Sequence, residues 1–254
     1  MRTRSGIVRR AGIAAAVTAA VIAAAAGGSA AGSPGPAIHS GAGPGWPKLL
    51  HPGDFVRRVD NPWFPLEPGS FWRYRGAKDG EHMTDVVRIA KGTKRILGVR
   101  TTVVHDTVLV GGRPEEETFD YYAQDRHGNV WYFGEDTKEL NASGKVVSRE
   151  GSFRAGRDGA RAGLYIPGHP KVGQSARQEF FKGHAEDHFR VIDRQARVSV
   201  PFVTTRHALR TREWTPLEPG VVDNKYYVHG VGTVREFAVK GPVEKLHLVD
   251  FRRG

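Results

Sequence analysis

Thr118-Phe119-Asp120-Tyr121-Tyr122-Ala123, then Gln124-Asp125-Arg126-His127-Gly128-Asn129, then Val130-Trp131-Tyr132-Phe133, is the stretch that decides the fold. Two ring-rich runs flank six residues of turn chemistry, in which Asp and Asn bond to nearby backbone and Gly tolerates a left-handed conformation. That is a β-hairpin. The adjacent pairs Tyr121-Tyr122 and Trp131-Tyr132 send one ring to each side of a strand, so both faces of this sheet are expected to be partly covered.

The same punctuation runs outward in both directions. Upstream, Pro68-Gly69 sets a turn before Ser70-Phe71-Trp72-Arg73-Tyr74-Arg75, in which rings alternate with polar groups. Met83 to Ile89 follows. Ile96 to Val110 is β-branched and contains Gly98, which reads as two strands or one strand bent by a bulge. Downstream, strand signals recur at 177–181, 189–192, 198–203, 206–214, 225–228, 231–239 and 243–251. The sequence therefore predicts a mostly β domain: a single antiparallel curved sheet, half-barrel or sandwich, with little helix after the leader. Asp54 to Val59 could add a turn or two of helix before Asn61-Pro62. The glycine-rich stretch Gly151 to Gly168 interrupts the pattern as a long loop or insertion. Pro65-Leu66-Glu67-Pro68-Gly69 returns as Pro216-Leu217-Glu218-Pro219-Gly220, which reads as one turn chemistry used twice.

Residues 1–31 read as a secretory signal peptide. Arg2, Arg4, Arg9 and Arg10 precede the uncharged run Ala11 to Ala26, and Ser29-Ala30-Ala31 gives a small-residue exit. The apolar run is shorter than the roughly 20 residues a spanning helix needs, so no transmembrane span is expected after cleavage. Residues 32–48 are a flexible Gly/Pro/Ser-rich linker, and residues 49–254 form the β domain. The expected location is secreted or extracytoplasmic, including association with the cell surface. The chain has no cysteine, so the domain must rest on its apolar core rather than on disulfides. The net charge is +11, of which four positive charges belong to the leader, and the basic residues gather into no stripe interleaved with rings. Nucleic acid is not an expected partner; mild affinity for anionic surfaces is.

Three groups of residues are candidates for chemistry. The rings Trp72, Tyr74, Tyr122, Trp131, Tyr132 and Tyr227 suit a carbohydrate-binding face or a ligand-binding apolar cavity, though rings at such positions more often build a plain β core. If 184–188 is extended, His184, Glu186 and His188 point to one face and could ligate a divalent metal; the default expectation is no cofactor. His105, His207 and His247 fall in phase with apolar neighbours, and such inward histidines are most often bonded to backbone. No nucleophile elbow, zinc-protease helix, phosphate loop or dinucleotide fingerprint is present. Glu117, Asp120, Glu135 and Glu186 are carboxylates from which glycosidase chemistry would need a facing pair.

Asn61-Pro62-Trp63-Phe64-Pro65-Leu66-Glu67-Pro68-Gly69 with Trp72-x-Tyr74 resembles a widespread group of uncharacterised exported bacterial proteins. So do Tyr122 to Glu135, Ala185-Glu186-Asp187 and Tyr226-Tyr227-x-x-Gly230-Val231-Gly232. The likeness spans about residues 60 to 250. The group is distantly similar to the periplasmic lipoprotein-carrier half-barrels, which implies a curved sheet with an apolar concave face, although nothing here resembles the helical lid of those carriers. The resulting expectation is non-catalytic binding of an apolar or lipid-like molecule or an envelope component. The alternatives are an envelope-directed hydrolase using Glu186 and nearby histidines, and a structural envelope component.

Overall fold

A computed structural model describes residues 51–254. The signal peptide and linker expected over 1–48 lie outside the described residues. Fifteen strands form one antiparallel sheet. The first meander is β1 (Phe71–Lys78), β2 (Glu81–Ile96), β3 (Val99–Val110), β4 (Arg113–Gln124) and β5 (Val130–Leu140). The short strands β6 (Val146–Ser148) and β7 (Phe153–Arg154) pair with β5, as does β8 (Arg161–Ile166). Then come β9 (Ser175–Arg177) and β10 (Glu179–Phe180). The second meander is β11 (His188–Ser199), β12 (Thr204–Trp214), β13 (Val222–Val228), β14 (Gly232–Lys240) and β15 (Glu244–Arg252). β1 pairs with β15 and so joins the two meanders.

The outer strands of this array nearly meet. β9 and β10 are one extended run broken only by Gln178; its first part pairs with β11 and its last part with β8. The sheet is therefore almost closed into a barrel, with the seam at Gln178. Gly163 on β8 sits against this seam, where a Cβ would lie 2.3 Å from the Gln178 carbonyl carbon. Only glycine permits that approach. Closure satisfies edges that an open sheet would leave unpaired.

Several local expectations change. The helix placed at 54–59 is instead a single 3-10 turn at Pro52–Asp54, because Phe55 bridges to Asp125 and the Val56 amide donates to the Gln124 carbonyl. The break near Gly98 makes two strands. The 151–168 stretch is more than a loop, since its glycines frame β8. In both Pro-Leu-Glu-Pro-Gly segments the Glu carbonyl accepts from the amide three residues on, Glu67 from Ser70 and Glu218 from Val221. Among the described residues no helix is long and apolar enough to cross a membrane.

Strand alternation sorts the side chains by charge as well as by hydropathy. The larger core fills the barrel, while a smaller cluster around Tyr121, Trp131 and Phe133 lies outside it under Phe55, whose ring meets Phe133 at 5.3 Å. Twelve acidic residues are buried among the described residues, against Lys225 as the one buried cation. Eleven of these acids fall on strands or turns that face inward; the twelfth, Asp125, anchors the β4–β5 turn and accepts from Trp131 Nε1 at 2.9 Å.

The outer face of the second meander is basic and ringed. Cross-strand register lines up Arg210, Tyr226, Arg235, His247 and Arg75, and beside them Arg212, Asn224, Phe237 and Lys245. Arg235 lies 4.6 Å above the Phe237 ring, and Phe71 sits between Arg88 and Arg252 at 5.1 and 5.7 Å. Sequence order hides this stripe, because its members come from different strands.

Candidate ligand cavities inside the barrel

The segment before β1 enters one mouth of the barrel. Asn61 fixes it to the β4–β5 turn: its amide donates to Gln124 Oε1 at 2.7 Å, its Nδ2 donates to the Gly128 carbonyl at 2.7 Å, and its Oδ1 accepts from the Trp63 amide at 2.8 Å. Phe64 and Leu66 then project into the core, both buried.

Below them is a small apolar pocket. Its lining includes Phe64, Leu66, Trp72, Tyr74, Val87 and Val104, with Gly232 on one side. The polar tips of the two largest rings turn away from it. Trp72 Nε1 donates to the Val231 carbonyl at 2.8 Å, and the Tyr74 hydroxyl donates to the Thr233 carbonyl at 2.9 Å. What remains facing the cavity is ring face and aliphatic carbon, so an apolar guest meets no unsatisfied donor.

A second, smaller space lies beyond a wall of rings and is lined by Tyr132, Tyr165, Gln178, Glu179, Asp187, Glu213 and Lys225. The wall is a contact set: Phe64 lies 4.6 Å from Tyr165 and 5.2 Å from Tyr122, and Tyr122 stacks on Tyr132 at 4.6 Å. On one side of this polar chamber the bonds are complete. Glu213 takes Lys225 Nζ at 2.9 Å, the Thr211 hydroxyl at 2.8 Å and the Tyr227 hydroxyl at 3.0 Å. Burial alone would push the Lys225 ammonium down, but Glu213 and Glu236 outweigh it and hold its pKa well above the usual lysine range. On the other side Glu179 is 0% exposed, and its carboxyl accepts from the Asp187 backbone. Burial first, then the nearby carboxyls of Asp187 and Glu135, pushes its pKa well above the ordinary value.

The carboxyls continue along the first meander. Asp120 stands opposite Glu135 and Glu116 opposite Glu139. Tyr132 donates to Asp120 at 2.5 Å and Thr137 to Glu135 at 2.6 Å. Burial drives all three of Glu116, Asp120 and Glu135 upward, Glu116 to about 8. Protonation removes the like-charge repulsion that this register would otherwise impose.

Of the six rings singled out from sequence, Trp72 and Tyr74 line the apolar space, Tyr122 and Tyr132 build the wall, and Tyr227 caps Glu213. Trp131 belongs to the outer cluster and faces neither chamber. His184, Glu186 and His188 are not brought together. Gly183 takes φ +79° and puts His184 on a tight turn, where it bonds Glu150 at 2.7 Å and stacks on Phe181. Glu186 accepts from the Gly183 amide and lies 3.5 Å from Arg177, while His188 lies edge-on to Trp214. Among the described residues no group of three His, Cys, Asp or Glu side chains is set to hold a metal ion. His105, expected inward, is on the outer face, where it stacks on Phe119 and bonds Glu117 at 3.1 Å. His247 is half-buried in the basic stripe, and His207 is exposed and bonded to Gln195. Glu117 is likewise external; Asp120 and Glu135 are the facing pair, sealed inside the barrel rather than lining a cleft.

Sequence reasoning missed Phe64, Glu179, Glu213 and Lys225. A signal was present in Glu116-x-Thr118-x-Asp120-x-Tyr122 and Glu135-x-Thr137-x-Glu139, polar residues at period two along strands that already carry rings on the same face.

No family model matches the chain, and no curated protein matches it in sequence. Two solved structures are similar in shape. One is a candidate exported protein with a YmcC-like fold from Bacteroides fragilis, 13% identical, with a TM-score of 0.44, covering 75% of this chain and 99% of that one. The other is a candidate lipoprotein from Parabacteroides distasonis, 9% identical, with a TM-score of 0.41, covering 76% of this chain and 99% of that one.

Proposed function

We propose that this chain works outside the cytoplasm, as a β-barrel that holds an apolar or lipid-like molecule without chemically changing it. The observation that carries the reading is the small apolar pocket behind Trp72 and Tyr74, whose ring tips are bonded to backbone so that apolar surface faces it. The leader read from residues 1–31 supports export. The basic outer face supports residence against an anionic envelope surface. The experiment is binding of a neutral long-chain alcohol to the delipidated protein, followed by Trp fluorescence and native mass spectrometry. Saturable binding that Trp72→Ala weakens supports the reading. Failure of every hydrophobic probe to bind sinks it.

A further inference from the structure

We infer that the outer face of the second meander docks on an anionic membrane surface, with the tip of the β14–β15 hairpin immersed among the lipid headgroups. The inference deepens the envelope residence proposed above and is independent of the internal pocket.

Two observations converge on this face. The first is unbalanced charge. Arg75, Arg190, Arg212, Arg235 and Lys245 lie in register on neighbouring strands, and none of them forms an ion pair among the described residues. Acids on the same face are already engaged, Asp193 by Arg210 at 3.8 Å and Asp250 by Arg73 and Arg252 at 3.3 and 3.1 Å. His247 is held below the ordinary histidine range by burial and then by Arg235 and Lys245, so at neutral pH the positive charge of its row is carried by the arginines.

The second observation is an apolar border to that charge. Strand alternation carries the face past Arg212, Asn224, Phe237 and Lys245 to Trp214, Val222, Val239 and Val243. The register that sets Phe237 opposite Lys245, taken one step further on the same face, sets Val239 across from Val243. These two side chains are 45% and 71% exposed, and Gly241-Pro242 turns the chain between them.

The combination selects the partner. A second copy of this face would bring cations against cations. A soluble polyanion would satisfy the arginines and leave the valine pair in water. A bilayer surface answers both: phosphates accept the guanidinium forks, and the apolar boundary beside them receives the hairpin tip. Two valines bury too little area to hold the protein alone, so the contact needs the charges and salt releases it.

The chain has no cysteine, so Val243→Cys and Val147→Cys each provide one site for an environment-sensitive dye. Val147 is comparably exposed, at 55%, and lies on β6 beside the first meander. Each labelled full chain is mixed at low salt with vesicles of phosphatidylcholine, alone or with phosphatidylglycerol. The expected result is a blue shift of the dye at position 243 on the anionic vesicles only, and none at position 147. Arg212→Glu with Lys245→Glu, both at exposed positions, should weaken vesicle binding by about tenfold or more. The comparison of dye sites stands even if that variant fails to fold. Binding to anionic vesicles without a shift at position 243 overturns the immersed hairpin and leaves the envelope residence standing; no binding overturns both. Equal shifts at the two sites overturn the orientation, and an equal shift on neutral vesicles overturns the role of the arginines. Polyphosphate bound as tightly as the vesicles, with the dye at position 243 silent, overturns the inference in favour of a soluble polyanion.

Discussion

Asp120 on β4 and Glu135 on β5 stand directly opposite one another with both carboxyls sealed inside the barrel. Two adjacent buried carboxylates cannot both be ionised at reasonable cost, so the interior stores protons. Stability should follow. Glu116, beside them, has a folded pKa of about 8 against an ordinary 4.5. A raised pKa means its contribution is complete below pH 4.5 and is lost as pH climbs through 8. His188 and His247, held below the usual histidine range chiefly by burial, act in the opposite sense, but only below about pH 6.5. The urea midpoint should therefore fall between pH 6.5 and 8.5, by a few kcal/mol in total, and Glu116→Gln should flatten the fall. A midpoint that stays level would show that the interior acids are ionised and paired.

Among the described residues Lys225 is the one buried cation, and it is the counter-charge to Glu213 and Glu236. Lys225→Met should cost about 3–5 kcal/mol, because it strands buried charge. Adding Glu213→Gln should recover part of that loss. Additive losses in the double variant, measured by chemical denaturation, would show that the two side chains do not act as a pair.

The seam makes a sharper demand on one glycine. A Cβ at Gly163 would meet the Gln178 carbonyl carbon and oxygen at 2.3 and 2.4 Å, both backbone atoms that cannot swing away. Gly163→Ala should lower stability by about 1–3 kcal/mol or more, as overpacking does, while Gly92→Ala on β2, with open space around it, should be near neutral. Thermal melts of the two variants side by side decide this; equal melting temperatures would mean that the seam is loose.

The outer stripe of Arg210, Arg212 and Arg235 should draw the protein to anionic vesicles at low salt. High salt should release it, since exposed charges are screened beyond a Debye length of about 10 Å at 0.1 M. Arg210→Glu with Arg235→Glu should abolish most of the binding in a co-sedimentation assay. Equal binding to neutral vesicles would assign the attraction to exposed apolar groups such as Phe202 instead.

The hairpin at 118–133 was readable because its turn residues and rings carry local instructions. So were the repeated Glu-Pro-Gly turns and the general all-strand architecture. The site was half readable. Rings advertise an interior, and five of the six named lie inside, but Trp131 looks like Tyr132 to any local rule and differs only in the face its position selects. Glu116 sits between Glu115 and Glu117, a run that sequence presents as a solvated patch; a strand turns the middle residue inward regardless of its charge. The metal reading of His184, Glu186 and His188 assumed an extended chain, which the left-handed Gly183 denies. Lys225 and Glu179 line one pocket from positions 46 residues apart in the chain, and no local pattern encodes that.

The pairing of β1 with β15 has a kinetic meaning. Trp72 finds its cross-strand neighbour in Phe251, so the first strand of the sheet waits for the last. Each meander can assemble from near neighbours as it is made, and the seam at Gln178 is local too, but pairing β1 with β15 requires closing almost the whole length of the domain. The cavity behind Trp72 thus has no wall on that side until synthesis is all but finished. Until then the first and last long strands stay as unpaired edges beside open apolar surface, a state prone to mispairing and aggregation.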